Sequence, residues 1–147
     1  MKTVYRVLAY VIAALVVVQA AAIGYAVFAQ LHWIEGGKTL DEASFESAPG
    51  FEAYIFHAFN GATVLLAALA LLIVSFFAKI PQGVRWAVIV LACTIVQIAL
   101  GTLSRLLAPI GAVHGAVALV LFGVAVMAAM RARKPAVVEE TVPAHVA

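Results

Sequence analysis

Two histidines, His57 and His114, each stand a few residues inside the start of a long apolar segment, in stretches otherwise almost free of ionisable side chains. An imidazole in hydrocarbon costs free energy unless it is paired, hydrated or bound to something, so an intramembrane His marks a functional position. Two at matching depth point to one shared ligand. Neutral imidazole is an axial ligand for haem iron, and helix bundles place such ligands on facing helices. Zinc asks for three or four protein ligands, and copper for thiolate or further imidazoles, so two histidines alone serve them less well. His32 is a conceivable third ligand, but beside Trp33 its easier reading is an interfacial residue. His145 lies in a polar tail and has no expected role.

The elements that must position these rings follow from composition. Of the 147 residues 66% are hydrophobic and 11% charged, with a mean hydropathy of +1.12. A soluble domain of this size has too little interior to hide that much apolar surface. The charges gather between apolar stretches at about 7–31, 51–78, 86–107 and 110–130. Each reaches the roughly 20 residues that cross a hydrocarbon core about 30 Å thick. The sequence therefore predicts an all-α fold, a transmembrane four-helix bundle over residues 1–134, with an outer loop at 32–50 and a disordered cytoplasmic tail at 135–147. The first apolar run is longer than the roughly 7–15 residues of a signal-peptide core, so it is expected to stay as a helix.

Lys2 and Arg6 precede the first span, Lys79 and Arg85 lie in the second connection, and Arg131, Arg133 and Lys134 follow the fourth. Only Lys38 and Arg105 fall on the other side. Cationic residues concentrate on the cytoplasmic side, so both termini are expected there, in the inner membrane of a bacterium. The first connection holds Glu35, Asp41, Glu42 and Glu46, with Glu52 at its edge, most of the chain's 7 acidic residues. Gly36-Gly37 and Pro49-Gly50 punctuate it as turns, and it is expected to cap the outer mouth of the bundle. The lone Cys93 excludes an intrachain disulfide, covalent c-type haem attachment and the paired-thiol chemistry of quinone-linked thiol oxidases. No nucleic acid partner is expected.

The neighbours of each His support a pocket. His57, Asn60, Gly61, Val64 and Ala68 follow one helix face, as do His114, Gly115, Ala118 and Ala125. Small residues let a helix or a flat ligand approach closely. The first and third spans add Gln19 followed by Gly24, and Gln97 followed by Gly101. Counted from the expected outer ends, both glycines fall near the depth of the histidines and both glutamines deeper. A macrocycle between His57 and His114 would then be flanked by Gly24 and Gly101. The segments around Gln19 and Gln97, and around His57 and His114, read alike. They suggest two repeated helix pairs about a pseudo-two-fold axis along the membrane normal.

The run Val96-Gln97-Ile98-Ala99-Leu100-Gly101-Thr102-Leu103, then Leu107-Ala108-Pro109, then Val113-His114-Gly115, resembles the third and fourth helices of one half of haem A synthase. There a Gln and a Gly precede a short outer turn and a haem-ligating His. The second span, with Glu52 before His57 and Gly61 after it, is similar to the segment bearing the partner His. The resemblance covers roughly residues 5–130 in topology and only these motifs in detail; that family is built of two such halves. It implies a four-helix fold with haem ligation by His57 and His114, and makes Glu52 a candidate catalytic residue. The chain is also similar to small uncharacterised bacterial four-helix membrane proteins.

The expectation is a membrane b-type cytochrome carrying one haem b for single-electron transfer. His57 and His114 would bind the iron, Gly24, Gly61 and Gly101 would line the haem, and Arg105 would pair with a propionate. A quinone or a membrane redox complex is the candidate exchange partner, within the lipid bilayer. The competing readings are a haem-free accessory subunit of a larger membrane complex, or a haem-modifying or haem-carrying protein.

Overall fold

The computed structural model describes residues 1–133, and the tail expected to be disordered lies outside the described residues. Within them the chain is all-helical: α1 (Lys2–Glu35), α2 (Phe51–Ala78), α3 (Gly83–Leu103) and α4 (Ala108–Arg131). All four are long and apolar enough to cross a membrane. Each lacks Pro within its interior, and α4 starts with Pro109 in its first turn, where the missing N–H leaves no bond unmade.

Helix α1 packs on α2 and α4, and α3 packs on the same two, whereas α1 and α3, and α2 and α4, make no close backbone approach. The helices therefore run in order around a four-helix bundle, with α2 and α4 on a diagonal. This places the two histidine-bearing helices across the bundle core from each other.

The core comprises Tyr5, Ala9, Ile12 and Val16 of α1, Val64, Ala68 and Leu71 of α2, Ala87 and Val90 of α3, and Leu121, Ala125 and Ala128 of α4. Many of these are alanines, which let helix backbones approach closely where no hydrophobic effect drives association. All lie toward the end of the bundle that carries the cationic residues, the basic end. Toward the opposite end, the loop end, α3 has no buried residue beyond Thr94 and α4 none before Leu121. The bundle is thus tight at the basic end and looser where the histidines stand.

At the basic end the Tyr5 hydroxyl donates to the Gly83 carbonyl at 3.0 Å, tying α1 to the start of α3. The Arg131 guanidinium lies 4.7 Å from the Trp86 ring centroid, a cation–π contact that fastens α4 to α3. At the loop end the segment between α1 and α2 folds into turns. The Ser44 hydroxyl and N–H both donate to the Asp41 carboxylate, which holds that carboxyl below the usual range. Phe45 packs edge-on against Phe51 and beside Tyr54. The Tyr54 hydroxyl donates to Gln30 Oε1 at 3.2 Å, so this cap is built onto α1 and α2.

Gly50 fixes how α2 starts. Its φ is +88°, a conformation costly for any residue with a Cβ, and an added Cβ would fall 2.9 Å from both the Cα and the carbonyl oxygen of Ala26. The αL cost alone is about 1–2 kcal/mol, and the collision is with backbone. Gly50→Ala is therefore expected to lower stability by at least about 2 kcal/mol, measured as the unfolding midpoint in mixed micelles. An unchanged midpoint would show that α1 and α2 can shift apart at no cost.

The contact between Gly50 and Ala26 also shows that α1 overshoots. Nine residues of α1 beyond Ala26, from Val27 to Glu35, stand past the start of α2, about 13 Å of helix.

Candidate functional site

The apolar stripe of each helix ends, toward the loop end, in a polar residue. On α1, Ile12 and Val16 lead to Gln19; on α2, Ala68 and Val64 lead to His57; on α3, Val90 and Thr94 lead to Gln97; on α4, Ala125 and Leu121 lead to His114. Spacings of three, seven and eleven keep each on its helix's inward face. Two glutamines and two histidines, all half-buried, therefore form a polar layer on top of the apolar core.

Within this layer each Gln pairs reciprocally with a His. Gln19 Nε2 donates to the His57 backbone carbonyl at 3.0 Å, and His57 Nδ1 stands 3.2 Å from the Gln19 backbone carbonyl. On the other pair, Gln97 Nε2 donates to the His114 carbonyl at 2.9 Å, and His114 Nδ1 stands 3.0 Å from the Gln97 carbonyl. The two helix pairs thus repeat the same contact, as two repeated units would. The sequence placed the glutamines deeper than the histidines, and the structure corrects this. The overshoot of α1 and the ending of α3 at Leu103, rather than 107, bring each Gln level with its His.

A carbonyl oxygen can only accept, so both Nδ1 atoms carry the proton and both Nε2 atoms keep a lone pair. His114 Nε2 meets Gln97 Nε2 at 3.3 Å, a long contact in which the amide N–H points to that lone pair. Both carboxamide oxygens, Gln19 Oε1 and Gln97 Oε1, are buried without a hydrogen-bond partner. The amide orientation follows from the backbone carbonyls that Nε2 serves; flipping either group would set oxygen against oxygen.

The imidazoles face each other across the bundle with ring centroids 6.2 Å apart and planes inclined by 61°. They stand as a pair, since no three His, Cys, Asp or Glu come together among the described residues. On the α2 side Asn60, itself buried, reaches toward the Leu15 carbonyl at 3.5 Å.

The glycines are not equivalent. Gly101 lies against the His114 ring, where an added Cβ would be 3.1 Å from Cε1 and 3.3 Å from Nδ1. Gly61 faces Gln19 Nε2, at 3.5 Å from such a Cβ, while Gly24 has nothing within 4 Å. Gly24 is five residues after Gln19 and Gly101 four after Gln97, which rotates them to different faces. Gly24 lies eleven residues from Ala13, on the same stripe; that stripe is buried at Ala13 and open at Gly24.

Arg105 is exposed beyond the end of α3, and Glu52 is exposed in the first turn of α2, more than a turn from His57. Neither reaches the histidine layer. His32 is exposed in the last turn of α1. The residues that sequence reasoning undervalued are Gln19 and Gln97; their place on the core stripes, three residues beyond Val16 and Thr94, was the available signal.

No family model, curated sequence or solved structure matches this chain.

Proposed function

We propose that this protein is a membrane b-type cytochrome that holds one haem between His57 and His114 and passes single electrons. The observation carrying this reading is the pair of Nδ1-protonated imidazoles on diagonal helices, 6.2 Å apart between centroids. A metal–imidazole bond is about 2 Å. With the ring centroid roughly 1 Å behind the nitrogen, two imidazoles sharing one ion would have centroids roughly 6 Å apart.

The residues fit the group in donor chemistry as well. Carbonyl acceptors at Nδ1 fix ring orientation and raise the basicity of Nε2, the outer-shell arrangement that metal-bound histidines use. Gly101 lets the His114 ring lie directly against the α3 backbone, and the space next to Gly24 is open. Haem bound there would supply a one-electron iron couple, and two histidine ligands would suit it to electron transfer. His57 and His114 would hold the iron, the Gln19 and Gln97 carbonyls orient the rings, and the apolar layer beneath, from Val16 to Leu121, would keep water out. Gln97 must turn its amide away from His114 Nε2 for that atom to serve as ligand. Arg105, free of any acidic partner among the described residues, is the candidate for a propionate at the loop end.

We place the protein in a bacterial inner membrane with the basic end cytoplasmic, so the haem lies in the outer leaflet and exchanges electrons with a quinone or a membrane redox complex. Reporter fusions after Gly83 and Lys134 are expected to report cytoplasm and an insertion at Lys38 the outside. A reporter after Lys134 on the outside would overturn this orientation.

A second reading is favoured by the Gln97–His114 contact, which satisfies His114 within the protein. The polar layer would then be a packing device in a haem-free accessory subunit. The reduced-minus-oxidised absorbance spectrum of the purified protein decides between them. Sharp low-spin haem b bands are expected, and their absence from protein made in haem-replete cells would favour the accessory subunit.

A further inference from the structure

The basic end carries a feature that the haem reading does not use. Lys2, Thr3 and Arg6 of α1 and Ala132 and Arg133 after α4 line a cavity of about 440 Å³. Of its lining residues Ala132 is buried. Its rim is cationic, and Arg6 is half-buried there. None of these cations has an acidic partner among the described residues. The described acids, Glu35, Asp41, Glu42, Glu46 and Glu52, all belong to the loop end. Helix α1 spans 34 residues, about 51 Å, so those acids are far beyond screening distance. Arg131 is not part of the cluster, being stacked on Trp86.

The start of α1 adds donors. It begins at Lys2 without a side-chain cap, which leaves first-turn N–H groups without a side-chain acceptor beside the cations. Cations, a hydroxyl and free amide N–H groups around one cavity make a phosphate-binding set. On either side run α1 and α4, whose outward faces near this end expose Val4, Val7 and Met130. A ligand with a phosphate and two acyl chains would meet both surfaces, whereas a free anion would use only the first.

We propose that Lys2, Thr3, Arg6 and Arg133 form a binding site for the phosphate headgroup of an anionic glycerophospholipid, held in the seam between the ends of α1 and α4. Basic pockets between membrane helices bind anionic headgroups in this way. The site is independent of what His57 and His114 hold.

The test is native mass spectrometry of the full chain, released from detergent micelles containing equal amounts of phosphatidylglycerol and phosphatidylethanolamine. Phosphatidylglycerol adducts are expected in clear excess. The combined Lys2→Gln, Arg6→Gln and Arg133→Gln variant is expected to reduce them about tenfold or more, while Arg6→Lys retains them. The control Lys79→Gln with Arg85→Gln removes equal-sign charge from the neighbouring connection and is expected to leave the adducts in place. Circular dichroism and gel filtration confirm that each variant is folded. Equal retention of both lipids, or undiminished adducts on the folded triple variant, would overturn the proposal. Displacement of phosphatidylglycerol by millimolar inorganic phosphate would also overturn it, by marking a soluble-anion site. If adducts form only after Glu139→Gln and Glu140→Gln, the chain's own tail is the occupant and the lipid assignment fails.

Discussion

Replacing either His57 or His114 by alanine is expected to eliminate the low-spin spectrum of the proposed haem, because only one of its two protein ligands would remain. The structure explains why this effect should be separable from unfolding. Gln19 and Gln97 donate to the backbone carbonyls of His57 and His114, and those two bonds survive the substitution. What is lost is one Nδ1–H bond to a backbone carbonyl, in a membrane setting worth about 1 kcal/mol, and in His114→Ala also the long contact to Gln97 Nε2. The variants should therefore insert and fold, with circular dichroism unchanged, and lose haem signal by tenfold or more. His32→Ala, at the exposed end of α1, and His145→Ala should keep the full spectrum. Loss of low-spin character in His32→Ala, or its persistence in both His57→Ala and His114→Ala, would rule out the proposed ligand pair.

Why was the histidine pair legible while its setting was not? Apolar runs of this length are long and apolar enough to cross a membrane as helices, and the small-residue stripes below His57 and His114 set those rings inward. Relative height along the axis is another matter. It depends on where each helix stands against its neighbours, and apolar sequence of near-uniform composition carries little information about register. Gly50 supplies that register by seating against Ala26, a contact between residues with no chemistry of their own. Similarly, the apolar run through Leu106 and Leu107 suggested a longer α3, yet the chain turns after Leu103 so that Pro109 can open α4. Both errors pushed Gln19 and Gln97 away from the histidines they in fact hold. The loop-end turns, by contrast, followed from Gly37 and Gly50, which both adopt positive φ.

The glycines give the second large effect, and the structure separates what sequence treated as a matched pair. At Gly101 a Cβ would already sit 3.1 Å from His114 Cε1, closer than side chains normally pack. Leucine there must push the ring off the Gln97 carbonyl that orients it at 3.0 Å. Overpacking of this kind typically costs about 1–3 kcal/mol, and because the displaced ring is the proposed ligand, Gly101→Leu is expected to lower both stability and haem content, the latter by tenfold or more. Gly101→Ala should fall between, since the ring need yield only slightly. At Gly24 an added Cβ meets no protein atom within 4 Å, so Gly24→Leu should change the unfolding midpoint of haem-free protein far less than Gly101→Leu. Any loss of haem in that variant would then come from the space beside Gly24 and not from a weakened bundle. The informative measurement is the ratio of haem to protein alongside the unfolding midpoint for both variants. Normal haem in both would mean that these glycines serve helix packing, and the space beside the two imidazoles would then have to be filled by something much smaller than a porphyrin.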